Sequence, residues 1–136
     1  MGSGNDRQRL ESLAREVGVA DIVIFAGQVA ATEVPDYYAL ADVFAMPSTG
    51  EGFGIVFLEA AAHGLPVIGG NRDGSVDALA DGAVGIPVDP NDQEALTTAL
   101  ANALSGRKPG SAASVQRFVC ENFSRHVDDL VRILAR

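Results

Sequence analysis

The chain has 136 residues, 47% hydrophobic and 21% charged, the composition of one globular domain with room for a proper core. Ten basic residues against eighteen acidic ones leave a net charge of −8, so no basic patch is available to track a nucleic-acid backbone. The lone Cys120 excludes an internal disulfide and a thiolate cluster; no apolar run is long enough for a membrane span, and residues 1–6 show no signal-peptide pattern, so a reducing cytoplasm is the expected location.

Leu10, Leu13, Ala14 and Val17 recur at helical spacing, which predicts a helix over 6–17 that stops at Gly18. Residues 22–26 (Ile-Val-Ile-Phe-Ala) are short and rich in β-branched side chains, which predicts a buried strand ending at Gly27. A short helix over 34–41 precedes a second strand at 43–46, which Pro47 stops. A helix over 53–63 ends at Gly64 and leads to a third strand at 67–69. A short helix over 75–80 comes before a weaker fourth strand at 85–88, where Pro87 argues for a sheet edge. Leu96, Ala99, Leu100 and Ala103 share one face of a helix over 92–104 capped by Asn91 or Asp92. Residues 106–136 read as a helical extension, with helices over 114–120 and 126–134. Strands that are apolar throughout, alternating with helices, predict an α/β fold: a Rossmann-like parallel sheet with helices on both faces. In such sheets ligands bind beyond the carboxyl ends of the strands, where Gly27-Gln28-Val29, Pro47 to Gly54 and Gly69 to Ser75 fall.

The run from Glu51 to Glu59 carries the chemistry. Glu59 is the one acid in a stretch otherwise apolar from Phe53 to Ala62, a costly place for a carboxylate without a partner. Gly52 and Gly54 flank the predicted helix start, where free N–H groups and the positive end of the dipole make an anion site. Glu59 stands four helical rises, roughly 6 Å, beyond Ile55. Acid, phosphate cradle and second acid match a ligand with hydroxyls at both ends and phosphate between, as in a nucleotide sugar. Other residues have plainer readings: His63 meets the C-terminal end of its helix dipole, Asp128 and Asp129 complement the start of the helix that His126 opens, and Tyr37 and Tyr38 pack a short helix.

These residues resemble a known family. Pro47-Ser48, Glu51-Gly52-Phe53-Gly54, Glu59-Ala60 and Gly64-Leu65-Pro66-Val67-Ile68 together look like the E-x7-E signature of the retaining GT-B glycosyltransferases of family 4. Asp42-Val43-Phe44, Phe25-Ala26-Gly27-Gln28-Val29 and the segment from Asp81 to Leu96 are also similar to that pattern, which spans about residues 2–103. The resemblance implies a donor nucleotide-sugar-binding, C-terminal GT-B half. It makes Glu51 the catalytic residue that holds donor-sugar hydroxyls near the reacting carbon. The N–H groups around Gly52, Phe53, Gly54 and Ile55 would meet sugar and diphosphate, Glu59 the ribose and Val29 the base. Arg72 is a candidate cation for phosphate. No metal or other cofactor is expected.

Two departures stand out. Where the family commonly reads Gly-Gly-x-Pro-Glu, this chain has Asp73-Gly74-Ser75-Val76-Asp77. The family's first two strands, the arginine–lysine pair that neutralises the diphosphate, and the acceptor-binding half have no counterpart in these residues. The expectation is therefore a partial donor-binding domain, weak and inactive alone, which pairs residues 22–26 directly with 43–46 or dimerises through unpaired strands. Two other functions compete: a non-catalytic nucleotide-binding or sheet-completing module, and a nucleotide-sugar epimerase of related architecture.

Overall fold

The computed structural model describes residues 4–106 together with Val115 and Phe118. The chain forms two compact units, residues 1–37 and 38–136. The helices expected over 114–120 and 126–134 otherwise lie outside the described residues.

In the first unit, helix α1 (Arg7–Glu16) buries Ala14 and ends two residues before Gly18, which has φ +76°. A positive φ there is easy only for glycine, which is why the helix stops where the sequence places one. Arg7 bonds Glu11 at 2.7 Å and the Phe25 carbonyl at 3.2 Å, with its guanidinium 5.8 Å from the centre of the Phe25 ring. Residues 22–26 correct the sequence reading. They form no strand: Ile22 is 81% and Ile24 90% exposed. The expected pairing of 22–26 with the strand at 43–46 is absent as well. Apolar, β-branched residues favour a strand only where a neighbouring ladder and a covering layer exist.

Helix α2 (Val34–Leu40) straddles residue 37, and its Tyr38 is buried in the second unit. The sheet of that unit is parallel, in the order β1 (Phe44–Met46), β2 (Val67–Gly70), β3 (Ile86–Val88). Its register sets Phe44 against Val67 and Ile68 against Ile86. Pro87, which has no N–H to give a ladder, sits on an outer strand as expected. Helices α3 (Ile55–Ala62), α4 (Ser75–Leu79) and α5 (Gln93–Leu104) follow the three strands in turn.

Successive residues of β2 point to opposite faces. Ile68 packs with Val88, Ala99 and Ala103, so α5 covers one face. On the other, a Cβ at Gly69 would stand 3.0 Å from both Phe57 of α3 and Leu79 of α4. Gly69 thus lets two helices close over the sheet. Phe57, Ile68, Leu79, Val67 and Val84 are fully buried, each stabilising the fold by about 1.5–3 kcal/mol relative to exposure. Asp92 caps α5, accepting from the Ala95 N–H at 2.9 Å, a contribution of about 1 kcal/mol.

Candidate functional site

The carboxyl ends of β1 and β2 feed two loops, 47–54 and 71–74, that meet at short range. Gly70 and Gly74 make this possible: a Cβ at Gly70 would lie 2.3 Å from the Ser48 carbonyl oxygen, and one at Gly74 would lie 1.9 Å from that of Gly52. Only glycine permits such approach of two backbones.

Asp73 ties the loops together. Its Oδ2 accepts from the Glu51 N–H at 2.7 Å and from the Ser48 hydroxyl at 2.9 Å, while Oδ1 accepts from the Ser75 N–H at 3.0 Å. The Gly74 N–H returns a bond to the Glu51 carbonyl at 2.9 Å. Hydrogen bonding from Ser75, then from the Glu51 amide, holds the Asp73 carboxyl well below the usual carboxylate range. Sequence reading missed this role because Asp73 stands where the resembling family has glycine. The signal was present: Asp-Gly-Ser is a turn sequence in which the aspartate bonds the backbone two residues on.

The loop runs into α3 through Gly54, at φ +86°, where a Cβ would fall 2.4 Å from the Phe57 ring. No side chain caps the start of α3; the Phe57 N–H bonds the Gly54 carbonyl at 3.0 Å, and the positive end of the helix dipole lies beside Glu51. Glu51 is half-buried, and its carboxylate accepts from the Gly52 N–H at 3.1 Å. Ile55 is 65% exposed in the first turn, and the ring of Phe53 meets that of Phe118 edge-on at 5.8 Å.

One turn further along α3, Glu59 is exposed rather than sunk in apolar surroundings. The buried face of α3 is Phe57, Ala60 and Ala61, and Glu59 falls outside it. It does have a partner, although its exposure does not demand one: the Tyr38 hydroxyl donates to Oε2 at 3.0 Å. Burial, then that bond, pushes Tyr38 up to about 12. Tyr38 stacks on His63 at 4.9 Å and lies 6.0 Å from Phe44, so it packs, as expected, while also holding Glu59. Among the described residues Oε1 of Glu59 accepts no hydrogen bond, and the residue is exposed.

Arg72 is exposed and ion-paired with Asp89, the residue that follows β3. Val29 is half-buried and belongs to the first unit. Among the described residues no three His, Cys, Asp or Glu side chains gather as metal ligands, and no helix is long and apolar enough to cross a membrane.

Comparison with solved structures defines the class first. A lipopolysaccharide outer core galactosyltransferase in apo form superposes with a TM-score of 0.82 at 23% identity, over 96% of this chain and 38% of that one. Sucrose-phosphate synthase from Thermosynechococcus elongatus gives 0.76 at 34% identity, over 96% and 35%. Both are GT-B glycosyltransferases, and the α/β architecture here is theirs.

The family follows from sequence: residues 1–117 match the glycosyl transferases group 1, and the chain belongs to that family. It is 38% identical over 122 residues to a GDP-mannose-dependent alpha-(1-6)-phosphatidylinositol monomannoside mannosyltransferase of Mycolicibacterium smegmatis, covering 85% of this chain and 32% of the relative. The Mycobacterium tuberculosis protein of the same name is 43% identical over 114 residues, covering 79% and 30%. A D-inositol 3-phosphate glycosyltransferase of Corynebacterium urealyticum is 37% identical over 140 residues, covering 98% and 33%. The chain thus spans about a third of the length of these relatives.

Proposed function

We infer that this chain is the donor-binding part of a retaining glycosyltransferase of family 4 type, moving a hexose from a nucleoside-diphosphate sugar to a glycan, lipid or small acceptor. The observation that carries this reading is the uncapped start of α3, set between a half-buried Glu51 and an exposed Glu59 whose Oε1 accepts no bond from the described residues. Glu51 holds sugar hydroxyls near the anomeric carbon. The N–H groups of Phe53, Gly54 and Ile55 take the charge of the leaving diphosphate, and Glu59 accepts from the ribose diol. Val29 is the candidate for the base by the family resemblance alone. Transfer breaks the bond from the anomeric carbon to phosphate oxygen and forms one to the acceptor oxygen on the same face; the acceptor proton goes to the leaving phosphate. No side chain serves as nucleophile, and no metal is needed.

Arg72 has a smaller part than a free cation would have, because Asp89 already neutralises it. The partners the reading requires are a nucleotide sugar and an acceptor-binding half. The side of β1 away from β2 is where further strands, from the same protein or from a second copy, would pair. On its own the chain binds donor weakly and transfers little.

GDP-mannose is the first donor to test, since two relatives carry it in their names. Mixing the chain with a separately made acceptor-binding half should restore mannosyl transfer that neither shows alone and that chelation leaves intact. Donor binding without any transfer, across a panel of GDP- and UDP-hexoses, would favour the non-catalytic module instead.

A further inference from the structure

We propose that Asp73 is a positioning residue, which sets where Glu51 stands relative to the start of α3 and so how well the sugar end of a nucleotide sugar is held. This inference rests on the reading of Glu51 as the sugar contact. Three donors from two loops converge on one carboxylate: the Glu51 N–H, the Ser48 hydroxyl and the Ser75 N–H. The first two lie on the loop carrying Glu51, three residues apart, and the third opens α4. With the Gly74 N–H on the Glu51 carbonyl, Glu51 has both of its backbone polar groups fixed by the 73–74 turn.

Among the described residues the Glu51 side chain has no such external anchor; its hydrogen bond is with the N–H of its own neighbour Gly52. Its placement therefore depends on its backbone, and its backbone depends on Asp73. Bonds to a charged acceptor are about twice as strong as neutral ones, and three on one carboxylate also fix direction. Asparagine cannot reproduce them, because one of its two terminal atoms is a donor. If its oxygen serves Ser75, its amide meets the Glu51 N–H donor to donor.

The test measures, by calorimetric titration of the full chain, the affinities for GDP and GDP-mannose and for UDP and UDP-hexoses. For the tightest pair, the ratio of nucleotide-sugar to nucleotide affinity is the sugar increment. Asp73→Asn is expected to leave nucleotide affinity within about twofold and cut the sugar increment roughly tenfold, the loss of a charge-assisted bond. Glu51→Ala should remove the increment, and the double variant should be no worse than Glu51→Ala alone, since the two losses share one contact. A purely structural role would weaken nucleotide and nucleotide sugar alike, which would overturn the inference. So would a wild-type increment that survives Asp73→Asn while Glu51→Ala abolishes it. A wild-type chain with no increment for any hexose would overturn the donor-site reading and this inference with it. If circular dichroism finds Asp73→Asn unfolded, Ser48→Ala decides, because it removes one donor and leaves the other two. An increment cut about threefold supports the inference, and an unchanged one overturns it.

Discussion

Replacing Gly74 by alanine should destabilise the fold far more than its half-buried loop position suggests. Its backbone has φ −60°, so alanine is conformationally acceptable there and the effect is steric alone. The added Cβ would stand 1.9 Å from the Gly52 carbonyl oxygen, 2.4 Å from its carbon and 2.9 Å from the Glu51 carbonyl oxygen. Ordinary contact begins near 3.4 Å, so the two loops would have to part by about 1.5 Å. Overpacking of that kind costs about 1–3 kcal/mol. Parting the loops also stretches the Gly74-to-Glu51 bond, worth about 1 kcal/mol. The total is about 2–4 kcal/mol, a fall in thermal midpoint on the order of 10 °C for a domain of this size. The assay is thermal unfolding followed by circular dichroism, with Gly52→Ala as control: it lies in the facing loop, where an added Cβ meets nothing within 4 Å. A Gly74→Ala midpoint within about 2 °C of wild type, or a control that falls as far, would refute the close approach of the loops.

Removing the Tyr38 hydroxyl with Tyr38→Phe keeps the ring packing but frees Glu59, and should weaken nucleoside-diphosphate binding about three- to tenfold in a calorimetric titration. Tyr38 should also ionise near pH 12 in an ultraviolet titration, a step missing from Tyr38→Phe. Because that value lies above the unfolded one of about 10, its contribution to stability is complete below pH 10 and is lost as pH rises toward 12. Asp73 has the opposite sign. Its folded carboxyl is held low, so its contribution is present above about pH 4 and disappears below it, and the stability gap between wild type and Asp73→Asn should narrow on acidification past that point. Arg72→Ala should change stability by less than about 1 kcal/mol in urea, because its ion pair with Asp89 is largely exposed.

Much of the fold was legible because its signals are local. Gly18 and Gly64 stop helices, Pro47 and Pro87 mark strand ends and an edge, and Asp92 caps α5, so these elements fall within about two residues of their expected bounds. The segment 22–26 failed for a reason that no local pattern carries: apolarity says that a strand could be covered, not that a ladder is there to pair it. Glu59 was misplaced because α3 is apolar almost all round, which gives its sequence little sense of which side faces out. Its exposure removes the need for a partner that burial would have imposed, and the partner it has, Tyr38, 21 positions away in sequence, could only be found in three dimensions. Asp73 was visible as a departure and yet not as a function, since its partners Ser48 and Glu51 lie across a crossover from β1 to β2.

The central claim is that the start of α3, between Glu51 and Glu59, takes a nucleotide sugar. Its most direct test is a thermal-shift titration of the chain with GDP, UDP and their hexose conjugates at millimolar concentration, alongside Glu59→Ala. A ligand at 100 times its dissociation constant stabilises the folded state by about 2.7 kcal/mol. The account predicts a concentration-dependent rise in midpoint for at least one nucleotide and its sugar, largely lost in Glu59→Ala. Equal shifts in both proteins, or no shift with any of the ligands, would contradict it.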